Sequence, residues 1–284
     1  MTVLRGRKVL ITGAAHGIGL LMAERIAARG GHLILWDVDP AALEAACARI
    51  AAAGGSAVAY HCDLAERTSI EGAAARVLGQ QGRVDVLINN AGVVTGRRLL
   101  ETDDAAIERT FAVNTLALFR TVRAFLPGML EAGDGHLVTI ASASGIAAVP
   151  RLTDYSASKA AAIGFDEALR LELAHDAAPV RTTVVCPFYI GTGMFAGART
   201  RFPWLLPILQ PEYVADRIVA AIENDRARLV MPRFVLTTYL LRLLPISWFD
   251  ALLDFFGVTR SMDEFTGHGA TTPAGPDQPP PATP

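Results

Sequence analysis

Cysteine is scarce in this 284-residue chain. Cys47, Cys62 and Cys186 are odd in number and far apart, with no CxxC pair and no Cys/His cluster at zinc spacing, which excludes a disulfide scaffold and a structural metal site. An excess of either charge is also missing. The 26 Lys plus Arg stand against 28 Asp plus Glu, so the chain has no electrostatic footprint for nucleic acid. Long apolar runs are absent too: the longest stretch without Asp, Glu, Lys or Arg covers residues 182–198 and holds Pro187, Gly191 and Gly193, too interrupted for a membrane-spanning helix. The start carries Arg5, Arg7 and Lys8 before an apolar run that stops at Thr12 and Gly13 without a small-residue cleavage pattern. It reads as the first strand of a cytoplasmic protein. Lysine is rarest of all, since only Lys8 and Lys159 accompany 24 arginines.

What is present is ample core material, 51 % hydrophobic residues against 19 % charged, enough to exclude disorder over most of the length. Short β-branched apolar runs alternate with Ala-rich stretches of helical period from residue 8 to about residue 231. The spacing predicts strands at 9–12, 32–37, 57–61, 84–89, 136–140, 182–186 and 229–231, and helices at 17–29, 41–53, 69–80, 104–131, 155–175 and 212–224. Strands apolar on both faces belong to a parallel sheet covered on each side. With right-handed crossovers this is an α/β fold, a doubly wound parallel sheet.

After residue 232 the character changes. Residues 234–258 carry only Arg242, Asp250 and Asp254 as charges and are broken by Pro245. On a helix these charges fall on one side, leaving a broad apolar face that could close over a pocket, meet a partner subunit or sit in a membrane interface. Six of the last twelve residues are proline. The expected organisation is a catalytic domain at 1–232, an apolar helical extension at 233–262 and a disordered tail at 263–284.

The segment Thr12-Gly13-Ala14-Ala15-His16-Gly17-Ile18-Gly19 joins the first strand to the first helix. Its glycines permit a tight turn and close backbone approach, so that the helix N-terminus can receive a pyrophosphate. Asp37 ends the second strand. A carboxylate there accepts hydrogen bonds from an adenosine ribose and repels a 2′-phosphate, and no Arg or Lys follows in Val38-Asp39-Pro40; NAD is therefore favoured over NADP. Asp37 or Asp39 could instead cap the helix beginning at Pro40, and Asp39 suits that role better. His16 could meet a phosphate, but neutral imidazole is a weak cation.

Tyr155 and Lys159 stand four apart on one predicted helix, hence on one face. A phenol normally titrates near ~10, and a nearby ammonium favours its phenolate, so the pair can shuttle a proton. Ser142 follows the strand that ends at Ile140, where an active-site loop belongs, and could polarise a substrate oxygen; Ser144 competes for that role, and either could simply serve the turn before Gly145. Asn114 interrupts a long helical stretch, which suggests a kink or a bound water.

Together these residues resemble the short-chain dehydrogenase/reductase family over residues 8–231. TGxxxGIG stands at 12–19, NNAG at Asn89-Asn90-Ala91-Gly92, and YxxxK at Tyr155 and Lys159. The resemblance implies a Rossmann fold as a single domain and a catalytic set of Asn114, Ser142, Tyr155 and Lys159. In it Tyr is the acid/base, Lys lowers its pKa and holds the nicotinamide ribose, Ser orients the substrate oxygen, and Asn anchors a water. It also implies cofactor contacts at Asp63, Leu64, Asn90, Ala91, Gly92, Pro187, Ile190 and Thr192, besides Gly13, His16, Gly17, Ile18, Gly19 and Asp37. One departure stands out: Pro187-Phe188 replaces the family's usual Pro-Gly, making the floor of the nicotinamide pocket bulkier. Leu35-Trp36-Asp37, Phe125-Leu126-Pro127, Met231-Pro232-Arg233-Phe234 and Ser261-Met262-Asp263 look similar to the retinol dehydrogenase and 17-beta-hydroxysteroid dehydrogenase branch. That branch carries a hydrophobic N-terminal anchor, whereas the expectation here is soluble or loosely peripheral behaviour. The Arg-dominated, Ala-rich composition points to a bacterial member.

The expected activity is NAD-dependent interconversion of a lipophilic alcohol and its carbonyl. Phe188, Tyr189, Met194, Phe195, Phe202, Trp204, Leu205 and Leu206 supply a greasy lining after the sixth strand, unless they are ordinary core. The rival reading is a catalytically silent NAD-binding sensor or scaffold docking a partner or a lipid surface through the C-terminal region. The resemblance further implies a homodimer or homotetramer built on the helices at 104–131 and 155–175.

Overall fold

In a computed structural model describing residues 1–267, seven strands form one parallel sheet in the order β3-β2-β1-β4-β5-β6-β7. They are β1 Lys8–Thr12, β2 His32–Asp37, β3 Ser56–His61, β4 Val86–Asn89, β5 Gly135–Ile140, β6 Val180–Pro187 and β7 Arg228–Met231. The chain runs outward from β1 through β2 to β3 and then returns to lay β4 against the other side of β1. That reversal is a topological switch point, and the ends of β1 and β4 open a crevice beside it. The doubly wound parallel sheet expected from the strand pattern is the fold observed.

Helices cover both faces. One core packs α1 (Gly17–Ala28), α2 (Pro40–Ala52) and α7 (Pro211–Glu223) over Val9, Ile11, Leu33 and Val185. The opposite core gathers Leu10, Ile34 and Trp36 under α3 (Arg67–Gln81), α5 (Ala117–Glu131) and α6 (Thr153–His175). Trp36 and Phe125 meet edge to face there, 5.7 Å between ring centroids; such a pair is worth about 0.5–1.5 kcal/mol beyond its burial.

One expectation changes in detail. The stretch at 104–131 is not one helix: α4 (Asp104–Phe111) and α5 are joined by a π turn, Ala112–Leu116. Asn114 lies within it, buried, so the polar interruption marks an irregular turn of the kind that accompanies functional sites. The region at 234–258 is divided at Pro245, where its sequence is broken. It forms a 3₁₀ turn Arg233–Leu236, then α8 (Thr237–Leu241), and after Pro245 the separate α9 (Ile246–Phe255). Of the expected tail, residues 268–284 lie outside the described residues. Within 263–267, the Thr266 N–H bonds the Ala196 carbonyl at 2.9 Å.

Candidate active site

The crevice at the carboxyl ends of β1 and β4 holds about 550 Å³. All sixteen residues expected at a cofactor line it: Gly13, His16, Gly17, Ile18, Gly19, Asp37, Asp63, Leu64, Asn90, Ala91, Gly92, Tyr155, Lys159, Pro187, Ile190 and Thr192. The glycine turn has the close approach that its sequence demands. A Cβ on Gly19 would stand 2.0 Å from the Gly13 carbonyl oxygen, and Gly13 itself has φ +62°. Asn90 fastens the turn from below, its Nδ2 donating to the carbonyls of Thr12 and Gly13 at 2.9 and 3.1 Å. His16 precedes α1 without capping it, so its side chain leaves the helix's first N–H groups unserved, the arrangement an anion uses.

Asp37 and Asp39 divide the two roles weighed for them. Asp39 caps α2, accepting the Ala42 N–H at 3.0 Å. It also stands 3.6 Å from His16 Nε2. Asp37 faces the crevice and accepts the N–H groups of Ala15, Val38 and Asp39. Asp63 accepts the Ala65 N–H at 2.9 Å and lies 3.9 Å from Arg109. Arg109 and Trp36 also line the crevice, and sequence reasoning missed both: one reads as a charge on an ordinary helix, the other as core.

A second cavity opens beyond the first. It is narrow, about 60 Å³, and apolar, walled by Val149, Leu206, Val235, Leu241, Leu253 and Phe256 among others. Four residues line both cavities: Ser142, Tyr155, Phe188 and Phe195. Phe188, the residue that replaces a usual glycine, thus forms a wall shared by both. Of the expected greasy lining, Phe188, Tyr189, Phe195 and Leu206 reach the apolar cavity, and Met194 reaches the crevice. Phe202 packs instead against Trp204, Phe255 and Phe256, Trp204 is 80 % exposed, and Leu205 lines neither cavity. Much of the far wall comes from the region after residue 232, which sequence patterning could not orient.

Tyr155 and Lys159 occupy the first two turns of α6, both buried. Ser142 takes the position beside Tyr155, while Ser144 stands behind it, donating to Ser142 Oγ from its N–H and its hydroxyl at 3.2 and 3.0 Å. Burial pushes the Tyr155 phenol well above the usual tyrosine range, with a hydrogen bond to Ser142 opposing the shift. Lys159 is pushed down to about 8 by the same burial. Its Nζ donates to the Ile140 carbonyl at 2.8 Å and lies 5.7 Å from the Tyr155 ring centroid. The ammonium and the desolvation of the phenol thus act in opposite senses on Tyr155. Asn114 sits behind the crevice. Its Nδ2 donates to the Val93 carbonyl and Ser158 Oγ, and its Oδ1 accepts the Val93 N–H, so both amide protons go to protein partners.

The short chain dehydrogenase family model matches residues 7–201. The chain belongs to the short-chain dehydrogenase family. It is accordingly an oxidoreductase. Epidermal retinol dehydrogenase 2 of Mus musculus is 43 % identical, over 94 % of this chain and 87 % of that protein. Among solved structures, a short chain dehydrogenase/reductase from Burkholderia phymatum in complex with NAD superposes with TM-score 0.78 at 28 % identity, covering 87 % of this chain and 96 % of the other. A metagenomic short-chain oxidoreductase in complex with NADP reaches TM-score 0.70 at 31 % identity, covering 81 % and 98 %. Since these two dehydrogenases hold different cofactors, the choice in this chain has to rest on its own residues.

Proposed function

We propose that this dehydrogenase interconverts a lipophilic alcohol, of retinoid, steroid or long-chain type, and its aldehyde or ketone, using NAD(H). The observation that carries the reading is the position of Ser142 and Tyr155 at the junction of the crevice and the apolar cavity. Fit to the cofactor rests on the glycine turn, whose close packing a Cβ at Gly19 would break against the Gly13 carbonyl, and on the Asp37 carboxylate, which repels a 2′-phosphate. The glycine turn and the start of α1 hold the pyrophosphate, and Asp37 accepts from the adenosine ribose. When bound, the nicotinamide supplies the hydride acceptor or donor.

Ser142 Oγ donates to the substrate oxygen. Tyr155 takes the hydroxyl proton during oxidation and returns it during reduction. Lys159 keeps positive charge near the phenol, opposing the burial that disfavours the phenolate, so that the phenolate needed to take that proton can form. The apolar cavity supports a substrate with few polar groups. It is narrow, about 60 Å³, and continuous with the crevice through the residues that line both.

We read residues 1–232 as the catalytic unit and 233–262 as its cover. Among the described residues no helix is long and apolar enough to cross a membrane, but Leu243, Ile246 and Trp248 are exposed by 82, 79 and 66 %. These supply an apolar outer face for peripheral contact with a lipid surface by a cytoplasmic protein. Half-exposed Phe119 and Leu171, on α5 and α6, suit a homo-oligomeric contact.

The test is reduced-cofactor formation by the purified chain, with NAD and with NADP, against retinol, hydroxysteroids, long-chain and short alcohols. Turnover with NAD and a bulky apolar alcohol is expected. Tight NADH binding without turnover across the panel would favour a silent sensor. Flotation with liposomes tests the lipid contact, and sedimentation the oligomer.

A further inference from the structure

Next to Tyr155 lies a buried carboxylate with no part in the chemistry above. Asp154, in the first turn of α6, is 6 % exposed and has no ion-pair partner among the described residues. A buried acid without a cation is costly unless hydrogen bonds satisfy it. Here two hydroxyls do so. Thr95 Oγ1 donates to the carboxylate, 2.9 and 3.1 Å from its two oxygens, and Thr110 Oγ1 donates to Oδ2 at 2.8 Å.

The three residues belong to three separate segments. Thr95 lies on the loop after β4, whose Gly92 and Val93 line the crevice; Thr110 is on α4; Asp154 precedes Tyr155 on α6. Val94 of that loop packs in the cluster containing Tyr155 and Phe195. Asn114 already grips the loop at Val93 through two hydrogen bonds, so a second grip at Thr95 fixes its far end.

We infer that Asp154 is a positioning residue, whose carboxylate pins the loop at 92–96 to the start of the helix carrying Tyr155 and so sets the phenol relative to the crevice wall. The inference rests on the activity proposed above. Small displacements of a reacting group are costly: about 1 Å can lower a rate by roughly 100-fold.

The experiment compares Thr95→Val, Thr95→Ser, Asp154→Asn and Thr95→Val/Asp154→Asn in the full chain, with NAD and the best alcohol of the panel. Thr95→Val and Asp154→Asn are expected to lower kcat about tenfold or more, with NADH affinity changed less than about threefold, since the glycine turn and Asp37 are untouched. Thr95→Ser, which keeps the hydroxyl, restores kcat. The double variant loses no more than the worse single one, because both changes break one clamp. A wild-type kcat in Thr95→Val, or losses that multiply in the double variant, would overturn the inference. Hydrogen exchange of amides 93–96 in the cofactor-free chain gives a second reading: faster in Thr95→Val, unchanged in Thr95→Ser. If the wild-type chain turns over no alcohol, the proposed activity fails, and equal exchange in all variants then removes the clamp as well.

Discussion

The Ala15 N–H donates to Asp37 Oδ2 at 3.0 Å, a single bond that ties the acid ending β2 to the turn ending β1. The carboxylate therefore belongs to the floor of the cofactor crevice rather than to the cap of α2. Its other oxygen accepts from Val38 and Asp39, so it cannot swing away from an incoming 2′-phosphate without losing three hydrogen bonds.

Asp37→Ser removes that charge. The expected outcome is a fall of about tenfold or more in the ratio of kcat/KM for NAD over NADP, roughly the effect of ~1.4 kcal/mol. Steady-state kinetics with both cofactors reads it directly. An unchanged ratio would show that another group discriminates between them.

Glycines in this chain separate into tight and open positions. Gly19→Ala drives a methyl into the Gly13 carbonyl, so NADH affinity and thermal stability should both drop. Gly72 lies exposed within α3, with nothing within 4 Å of the place a Cβ would take; Gly72→Ala should raise stability by about 0.5–1 kcal/mol through lower backbone entropy in the unfolded chain. Urea titration of the two variants gives opposite signs on this account.

Two buried groups tilt stability against pH in opposite directions. His136, 1 % exposed between Thr2 and Thr183, is pushed down to about 4 by burial. Below pH ~6.5 the unfolded chain takes up a proton that the folded imidazole refuses, so up to roughly 3 kcal/mol is lost as pH falls from 6.5 to 4. Asp166, which accepts from Thr182 at 3.4 Å, is pushed up to about 7, chiefly by burial. Its protonated form favours the fold at acid pH, and that contribution disappears as pH rises toward 7. Asp166→Asn should therefore stabilise the chain more at pH 7.5 than at pH 4.5. Equal effects at both values, by urea unfolding, would refute the assignment.

The parts legible in the sequence are those set by neighbours in the chain. Alternating apolar runs marked out the sheet; the glycines at 13, 17 and 19 marked the turn; the four-residue spacing of Tyr155 and Lys159 put both on one helix face. What stayed hidden depends on distant partners. Nothing local tells that Leu253 and Phe256 return over Ser142, that Arg109 approaches Asp63, or that Thr95 and Thr110 converge on Asp154. The desolvation of Tyr155 is hidden for the same reason: helix spacing reveals the nearby ammonium, while the burial that opposes it comes from the whole surrounding core.

The central claim is that Tyr155 moves the substrate proton at the meeting point of crevice and apolar cavity. Tyr155→Phe, which keeps the ring packed against Phe195 at 5.6 Å and removes only the hydroxyl, tests it most directly. With NAD and a bulky alcohol the account predicts turnover lower by about 100-fold or more, alongside NADH affinity close to wild type by fluorescence titration. Turnover equal to wild type in that variant would contradict it.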